Sequence, residues 1–320
     1  MKYVGRVVGG LLLLAVVCGL LFYRHPLWFL DRPVYFNLLR AHAQSKYVDL
    51  GSNRLHYYEA APAGGGPGTP LLLIHGLGAR AEDWSNLIPG FAANGFHVYA
   101  PDLLGYGRSS RPDVDYSIAL EESIIIQYMQ AMHLPRADVV GWSMGGWIAM
   151  RLALDQPAMV DRLAVYDTAG TYFPAVLPDG LFAPDNLAGV QWLFDVLEPQ
   201  PRSLPGFVAR DLLRKLQRNG WIVNRSLASM TSGRYLLDFR LSSLKQPTLI
   251  MWGGADRLIP PSVGEALHQS IPQSVLEIVE GCGHLGPAEC SKPYLEGTVE
   301  FLKAQPPMAA QRKTSTVSAQ

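Results

Sequence analysis

A chain of 320 residues, 48% hydrophobic and 17% charged, with abundant Gly and Pro, can bury a sizeable core and is not generically disordered. Lys plus Arg and Asp plus Glu both number 27, so no net field holds a polyanion, and no basic run marks a nucleic-acid footprint. The three cysteines, Cys18, Cys282 and Cys290, offer neither a CxxC pair nor zinc-like spacing, so the expected chemistry uses side chains alone, without metal or cofactor.

At the amino terminus, Lys2 and Arg6 precede an uncharged run from Val7 to Tyr23 that is closed by Arg24 and His25. Such a run inserts in a bilayer, and flanking Lys and Arg can snorkel to its surfaces. Residues 1–30 read as an uncleaved signal-anchor. A cleaved signal peptide is the alternative, although no small-x-small cleavage site follows the apolar run. Lys2, Arg6 and the amino terminus outweigh Arg24 and a mostly neutral His25 by a small margin that Arg32 narrows, which is expected to place the amino terminus in the cytoplasm and the rest of the chain across the membrane, in the periplasm of a bacterium. Residues 31–46 read as a juxtamembrane linker. Within this region Tyr23, Trp28, Phe29, Tyr35 and Phe36 stand among Arg24, Arg32 and Arg40, the composition of a membrane-interface belt; ordinary packing against the following domain explains them equally well.

Tyr47–Leu50 and Arg54–Glu59 then read as a hairpin around Gly51, Ser52 and Asn53. Leu71–Ile74 is a continuous apolar run, as expected for a strand buried on both faces. From there helices and strands alternate: Ala81–Ala93, His97–Ala100, Ser117–Met132, Ala137–Gly141, Met144–Leu154 and Leu163–Tyr166. That order predicts an α/β fold with a mostly parallel, doubly wound sheet, whose ligands sit beyond the carboxyl ends of the strands. About 75 residues rich in Pro, Phe, Leu and Trp interrupt the alternation. Helical spacing over Leu187–Leu197 and Phe207–Leu216 makes residues 169–244 an inserted helical cap on a core of residues 47–168 and 245–304. The core resumes with the strands Thr248–Trp252 and Val275–Val279 and the helix Pro293–Leu302. Residues 305–320 are polar and without hydrophobic period, and read as a disordered tail.

The strongest chemical signal is Gly141-Trp142-Ser143-Met144-Gly145, set between a predicted strand and a predicted helix. A serine on so sharp a turn projects its hydroxyl, and glycines two residues to either side avoid a clash between crossing backbones. Ser143 is therefore the candidate nucleophile. The N–H of Met144, at a helix start, is free to face a developing oxyanion. Asp256 follows an apolar strand and a Gly-Gly pair, and His284 lies in a Gly-containing loop after the last core strand. In the order Ser, Asp, His these are candidate nucleophile, acid partner and base, with Asp167 at the end of the preceding strand as the reserve acid.

With His75-Gly76-Leu77-Gly78, the segment Asp102–Ser109, the Ser143 elbow, Gly254–Pro260 and Gly283-His284 in this order, the chain from about residue 47 to 303 resembles the α/β-hydrolase superfamily. Among its members it resembles the lipase-, esterase- and acylglycerol-hydrolase-like serine hydrolases with a helical cap. The resemblance implies that the N–H of Leu77 is the second oxyanion donor and that Asp102–Ser109 is a structural loop. It also implies hydrolysis of a small-molecule carboxylic ester of lipid-like or medium chain length through an acyl-enzyme. Carbon–carbon bond hydrolysis or perhydrolysis with the same three residues, and a non-catalytic ligand receptor, stay open, as does the oligomeric state. Trp142 and the cap residues Tyr172, Phe173, Trp192 and Phe194 are the candidate acyl-pocket lining, although much of the cap's aromatic content reads as its own core. Cys282 and Cys290 bracket His284. They read first as two buried thiols, and as a bridge if the domain faces an oxidising compartment.

Overall fold

The computed structural model describes residues 2–174, 180–200 and 202–316. Helix α1 (Lys2–Arg24) is followed by α2 (Pro26–Leu30), α3 (Arg32–Arg40) and the hairpin β1 (Gln44–Leu50) and β2 (Asn53–Ala60). Alternation then runs through β3 (Thr69–Ile74), α4 (Ile88–Ala93), β4 (Phe96–Pro101), α5 (Ile118–Ala131), β5 (Ala137–Trp142), α6 (Met144–Asp155) and β6 (Val160–Tyr166). The inserted helices are α7 (Leu187–Leu197) and α8 (Gly206–Thr231), after which come β7 (Thr248–Gly253), α9 (Pro261–Ser270), β8 (Val275–Glu280), α10 (Gly286–Glu289), α11 (Ser291–Lys303) and β9 (Gln311–Thr316).

The nine strands lie in the order β1-β2-β4-β3-β5-β6-β7-β8-β9. The β1–β2 and β2–β4 pairs are antiparallel and every later pair is parallel. The apolar runs follow from this: along β3, Leu71 and Leu73 enter the core on one face while Leu72 and Ile74 enter it on the other. Helices α5, α6 and α9 cover the second face, and α4 and α11 cover the first. The cap is fastened to the core by named bonds. Tyr106 Oη and Ser226 Oγ lie 2.7 Å apart, and the Trp147 indole N–H donates to the Tyr235 carbonyl at 2.9 Å.

Four expectations need correction. Residues 32–40 of the expected linker are helix α3, started by Pro33 in its first turn and anchored by buried Leu38. The single helix expected over 81–93 is a short 3-10 turn (Ala81–Trp84) and then α4, because Pro89 restarts the helix. Helix α8 runs on to Thr231, well past Leu216, with Ile222 and Val223 buried beyond Gly220. The tail expected to be disordered contains β9, which pairs in parallel with β8 from Gln311 opposite Val275 to Thr316 opposite Glu280. Backbone pairing stabilises this exposed edge strand, with ion pairs Arg312–Glu265 and Lys313–Glu300 beside it, so no hydrophobic alternation is needed. Residues 317–320 of that tail lie outside the described residues.

Helix α1 contains the Arg6–Arg24 stretch, 19 residues long, apolar and wholly exposed. At about 1.5 Å per residue it spans roughly 28 Å, close to the ~30 Å hydrocarbon core of a bilayer. It is the one described helix long and apolar enough to cross a membrane.

Candidate active site

Three parallel strands, β5, β7 and β8, deliver the candidate residues beyond their carboxyl ends. Between β5 and α6 the backbone turns at Ser143 with φ 55° and ψ −118°, a left-handed conformation that a side chain tolerates only under constraint. The constraint comes from both sides. A Cβ on Gly145 would stand 2.1 Å from the Ile74 carbonyl oxygen, and one on Gly141 2.3 Å from that of Gly145. The Ser143 N–H donates to the Tyr166 carbonyl at 2.9 Å, and the Thr168 hydroxyl donates to the Ser143 carbonyl at 3.1 Å.

His284 comes to this turn from the loop after β8. Its Nε2 is 3.1 Å from Ser143 Oγ and its Nδ1 is 2.8 Å from Asp256 Oδ2. The carboxylate accepts, so Nδ1 carries the proton and Nε2 presents a lone pair to the serine hydroxyl. Asp256 is held in turn by the N–H groups of Leu258 (2.8 Å) and Ile259 (3.0 Å), both donating to Oδ1. Burial alone would depress the imidazole pKa, but the charge and hydrogen bond of Asp256 outweigh it and raise the pKa above the ordinary value of 6.5.

The histidine loop is itself clamped. The Trp142 indole N–H donates to the His284 carbonyl at 2.9 Å, and Cys282 and Cys290 form a disulfide with Cα atoms 6.2 Å apart. The bridge corrects the expectation of two free thiols. The turn α10 brings Cys290 back beneath the loop, a placement that the spacing of the two cysteines does not specify.

Asp167, the reserve acid, is turned elsewhere. It accepts from the Gly253 N–H and the Tyr294 hydroxyl, both at 2.7 Å. Burial and the neighbouring charge of Asp256 raise its pKa well above the ordinary carboxylate value. His75 is fully buried, its Nδ1 donating to the Gly76 carbonyl (2.8 Å) and its Nε2 accepting the Leu103 N–H (3.0 Å). That bond pattern fixes its neutral form, and burial lowers its pKa in the same sense. Asp102 accepts from the N–H groups of Ala81 (2.7 Å) and Arg108 (2.8 Å) and lies 2.7 Å from His56 Nδ1, which makes it a brace for the loop it begins.

Above Ser143 lies a cavity of about 780 Å³ lined mainly by apolar side chains. Among the described residues, the N–H groups of Leu77 and Met144 donate to no other protein group. A Cβ on Gly76 would approach Ser143 Cβ at 3.1 Å, so the glycine lets the Leu77 strand of loop pass close to the serine. Of the five expected lining residues, Trp142, Tyr172, Phe173 and Phe194 face the cavity. Trp192 does not; it is 44% exposed on the outer side of α7. Sequence reasoning missed the wall supplied by α8. Leu212, Leu216, Val223 and Leu227 follow a helical period on one face, a signal that becomes readable once the helix is extended beyond Leu216.

The family model for the alpha/beta hydrolase family matches residues 71–295, well over half of the chain. The chain is similar to 2-hydroxy-6-oxo-6-phenylhexa-2,4-dienoate hydrolase of Burkholderia cepacia, with 27% identity covering 81% of this chain and 96% of the relative. It is similar to Lipase 1 of Psychrobacter immobilis, with 28% identity covering 74% and 76%. Among solved structures it resembles a membrane phospholipase A described as a bacterial virulence factor, at TM-score 0.78 and 26% identity, covering 94% of this chain and 98% of the other. With the nine-stranded sheet, the inserted helices and a serine–histidine–aspartate chain beneath an apolar cavity, these matches establish that the protein belongs to the α/β hydrolase family and is a hydrolase.

Proposed function

We propose that this hydrolase is a membrane-anchored serine esterase that cleaves carboxylic esters with lipid-like or medium-length acyl chains. The observation that carries the reading is the unbroken chain from Ser143 Oγ through His284 to Asp256 at the foot of the apolar cavity. His284 takes the hydroxyl proton as Ser143 Oγ attacks the ester carbonyl, and the resulting oxyanion accepts the N–H groups of Leu77 and Met144. The protonated imidazole then gives its proton to the departing alcohol, leaving an acyl-enzyme. Water, deprotonated by the same nitrogen, releases the acid and restores the serine.

Carbon–carbon bond hydrolysis is the second reading, favoured by the similarity to the Burkholderia dienoate hydrolase. The cavity weighs against it. Its described lining contains no Lys or Arg to pair the carboxylate of a dienoate, and its acidic members are Glu82 and Asp83. Helix α1 serves as the anchor, with its amino terminus cytoplasmic and the domain on the opposite side; the disulfide supports that placement, since such bonds persist in oxidising compartments.

The decisive experiment measures turnover of p-nitrophenyl esters of increasing acyl length and labelling by a fluorophosphonate probe. Ser143→Ala is expected to abolish labelling and to lower kcat/KM by at least about four orders of magnitude. A Ser143→Ala protein that kept full turnover would overturn the assignment, and turnover of dienoic diketones alone would favour the second reading.

A further inference from the structure

The chain as a whole is charge-balanced, yet the segments that meet where α1 ends are not. Residues 24–40 and 206–218 together carry seven basic side chains, Arg24, Arg32, Arg40, Arg210, Arg214, Lys215 and Arg218, against two acids, Asp31 and Asp211. Both acids are engaged. Asp31 pairs with Arg80 at 2.9 Å, and Asp211 accepts from Arg214 (2.9 Å) and from the Leu27 N–H (3.2 Å). The first turns of α8 are docked on the end of α1: Phe207 stacks on Tyr23 with ring centroids 5.5 Å apart, and Arg210 and Arg214 donate to Tyr23 Oη (3.0 Å) and the Arg24 carbonyl (2.7 Å).

The same region exposes large apolar groups that no described residue covers. Trp28 and Leu30 are more than half exposed, Phe36 is 60% exposed and Leu39 71%, with Arg32 lying over the Trp28 ring at 3.8 Å. On α3, Val34 and Leu38 face inward while Phe36 and Leu39 face outward, so the helix is apolar on two sides. One residue separates α1 from α2, which leaves no length of chain to carry this surface away from the end of the membrane-crossing segment.

The cavity reaches the same place. Its wall includes Val34 of α3, Asn86, Ala288, and Leu212 and Leu216 of α8. Asn37 donates to Asn86 Oδ1 (2.9 Å) and Asn86 donates to the Ala288 carbonyl (3.0 Å), tying α3 to the rim. Asp83, also in the wall, feels the positive charge of Arg80 and of exposed Lys215.

Resting on the esterase reading, we propose that α2, α3 and the first turns of α8 form a bilayer-docking surface for anionic phospholipid, surrounding a cavity mouth through which a lipid's acyl chain enters from the membrane. Phe36, Leu39, Trp28 and Leu30 enter the headgroup–acyl boundary, and the basic side chains meet lipid phosphates. The acyl chain passes between Val34 and Leu212/Leu216 toward Ser143.

The test uses the full-length chain in vesicles of phosphatidylcholine, with or without phosphatidylglycerol. Fatty-acid release from the vesicle lipid is divided by turnover of water-soluble p-nitrophenyl butyrate in the same sample. Phosphatidylglycerol is expected to raise this ratio by about tenfold, an increase that added salt reverses. Lys215→Glu/Arg218→Glu is expected to remove the increase, and Phe36→Asp/Leu39→Asp to lower the ratio in both vesicles. A ratio indifferent to phosphatidylglycerol and to both double variants overturns the proposal. Photoactivatable phosphatidylglycerol gives a readout independent of turnover. Label on peptides of α3 and α8 supports the docking surface, and label confined elsewhere overturns it, even for a protein whose inertness toward p-nitrophenyl butyrate had sunk the esterase reading.

Discussion

Two buried carboxyl groups, Asp167 and Asp256, stand near His284, and their hydrogen bonds divide the work between them. Asp256 receives three N–H donors, one of them from the imidazole, while Asp167 receives the Gly253 N–H and the Tyr294 hydroxyl. Asp256→Asn is therefore expected to lower kcat by about three to four orders of magnitude, whereas Asp167→Asn, which leaves the Asp256–His284 bond in place, loses far less. The pH profile separates the two as well. His284 must be neutral to accept the serine proton, and its pKa is raised chiefly by Asp256 against the opposing effect of burial. Activity thus falls as pH drops through a midpoint above 6.5, and in Asp256→Asn that midpoint moves downward, because the stabilising charge is gone while burial remains. A midpoint unmoved in Asp256→Asn but lowered in Asp167→Asn would reverse the two roles.

At the level of elements, what the sequence displayed depended on what holds each element in place. β3, β5 and β7 are buried on both faces, so their apolar runs were legible, and the strand-turn-helix setting of Ser143 was legible with them. β9 is held by a row of backbone bonds and two surface ion pairs, interactions that any polar sequence can make. The polar stretch Gln217-Arg218-Asn219-Gly220 hid the continuation of α8, although Ile222 and Val223 bury themselves immediately after it. Trp192 was misplaced because aromatic content locates a helix but not which of its faces meets the cavity. The disulfide depended on α10, four residues long and too short to announce itself. Closing a loop of sequence separation 8 restrains the unfolded chain by about 2–3 kcal/mol. Cys282→Ser/Cys290→Ser is expected to lower Tm by roughly 4 °C. Its kcat should fall as well, because the freed loop carries His284. An unchanged Tm and kcat would show that Trp142 and the surrounding packing suffice to hold the loop.

For the molecule as a whole, the proposed arrangement, with the amino terminus cytoplasmic and the domain across the membrane, has a direct check. In spheroplasts of a bacterial host, external protease is expected to reach the domain beyond residue 30; a domain that resisted digestion until the membrane was broken would contradict the orientation. Helix α8 has one further consequence. Its first turns are bonded to the end of α1 through Phe207, Arg210 and Arg214, and its other face forms a wall of the cavity through Leu212, Leu216 and Val223. Swinging α8 away from the sheet would strain or break those bonds to the anchor. If α1 is seated in a bilayer as proposed, the joint between it and the cap is mechanical, and a force that tilts α1 reaches the space above Ser143 through α8.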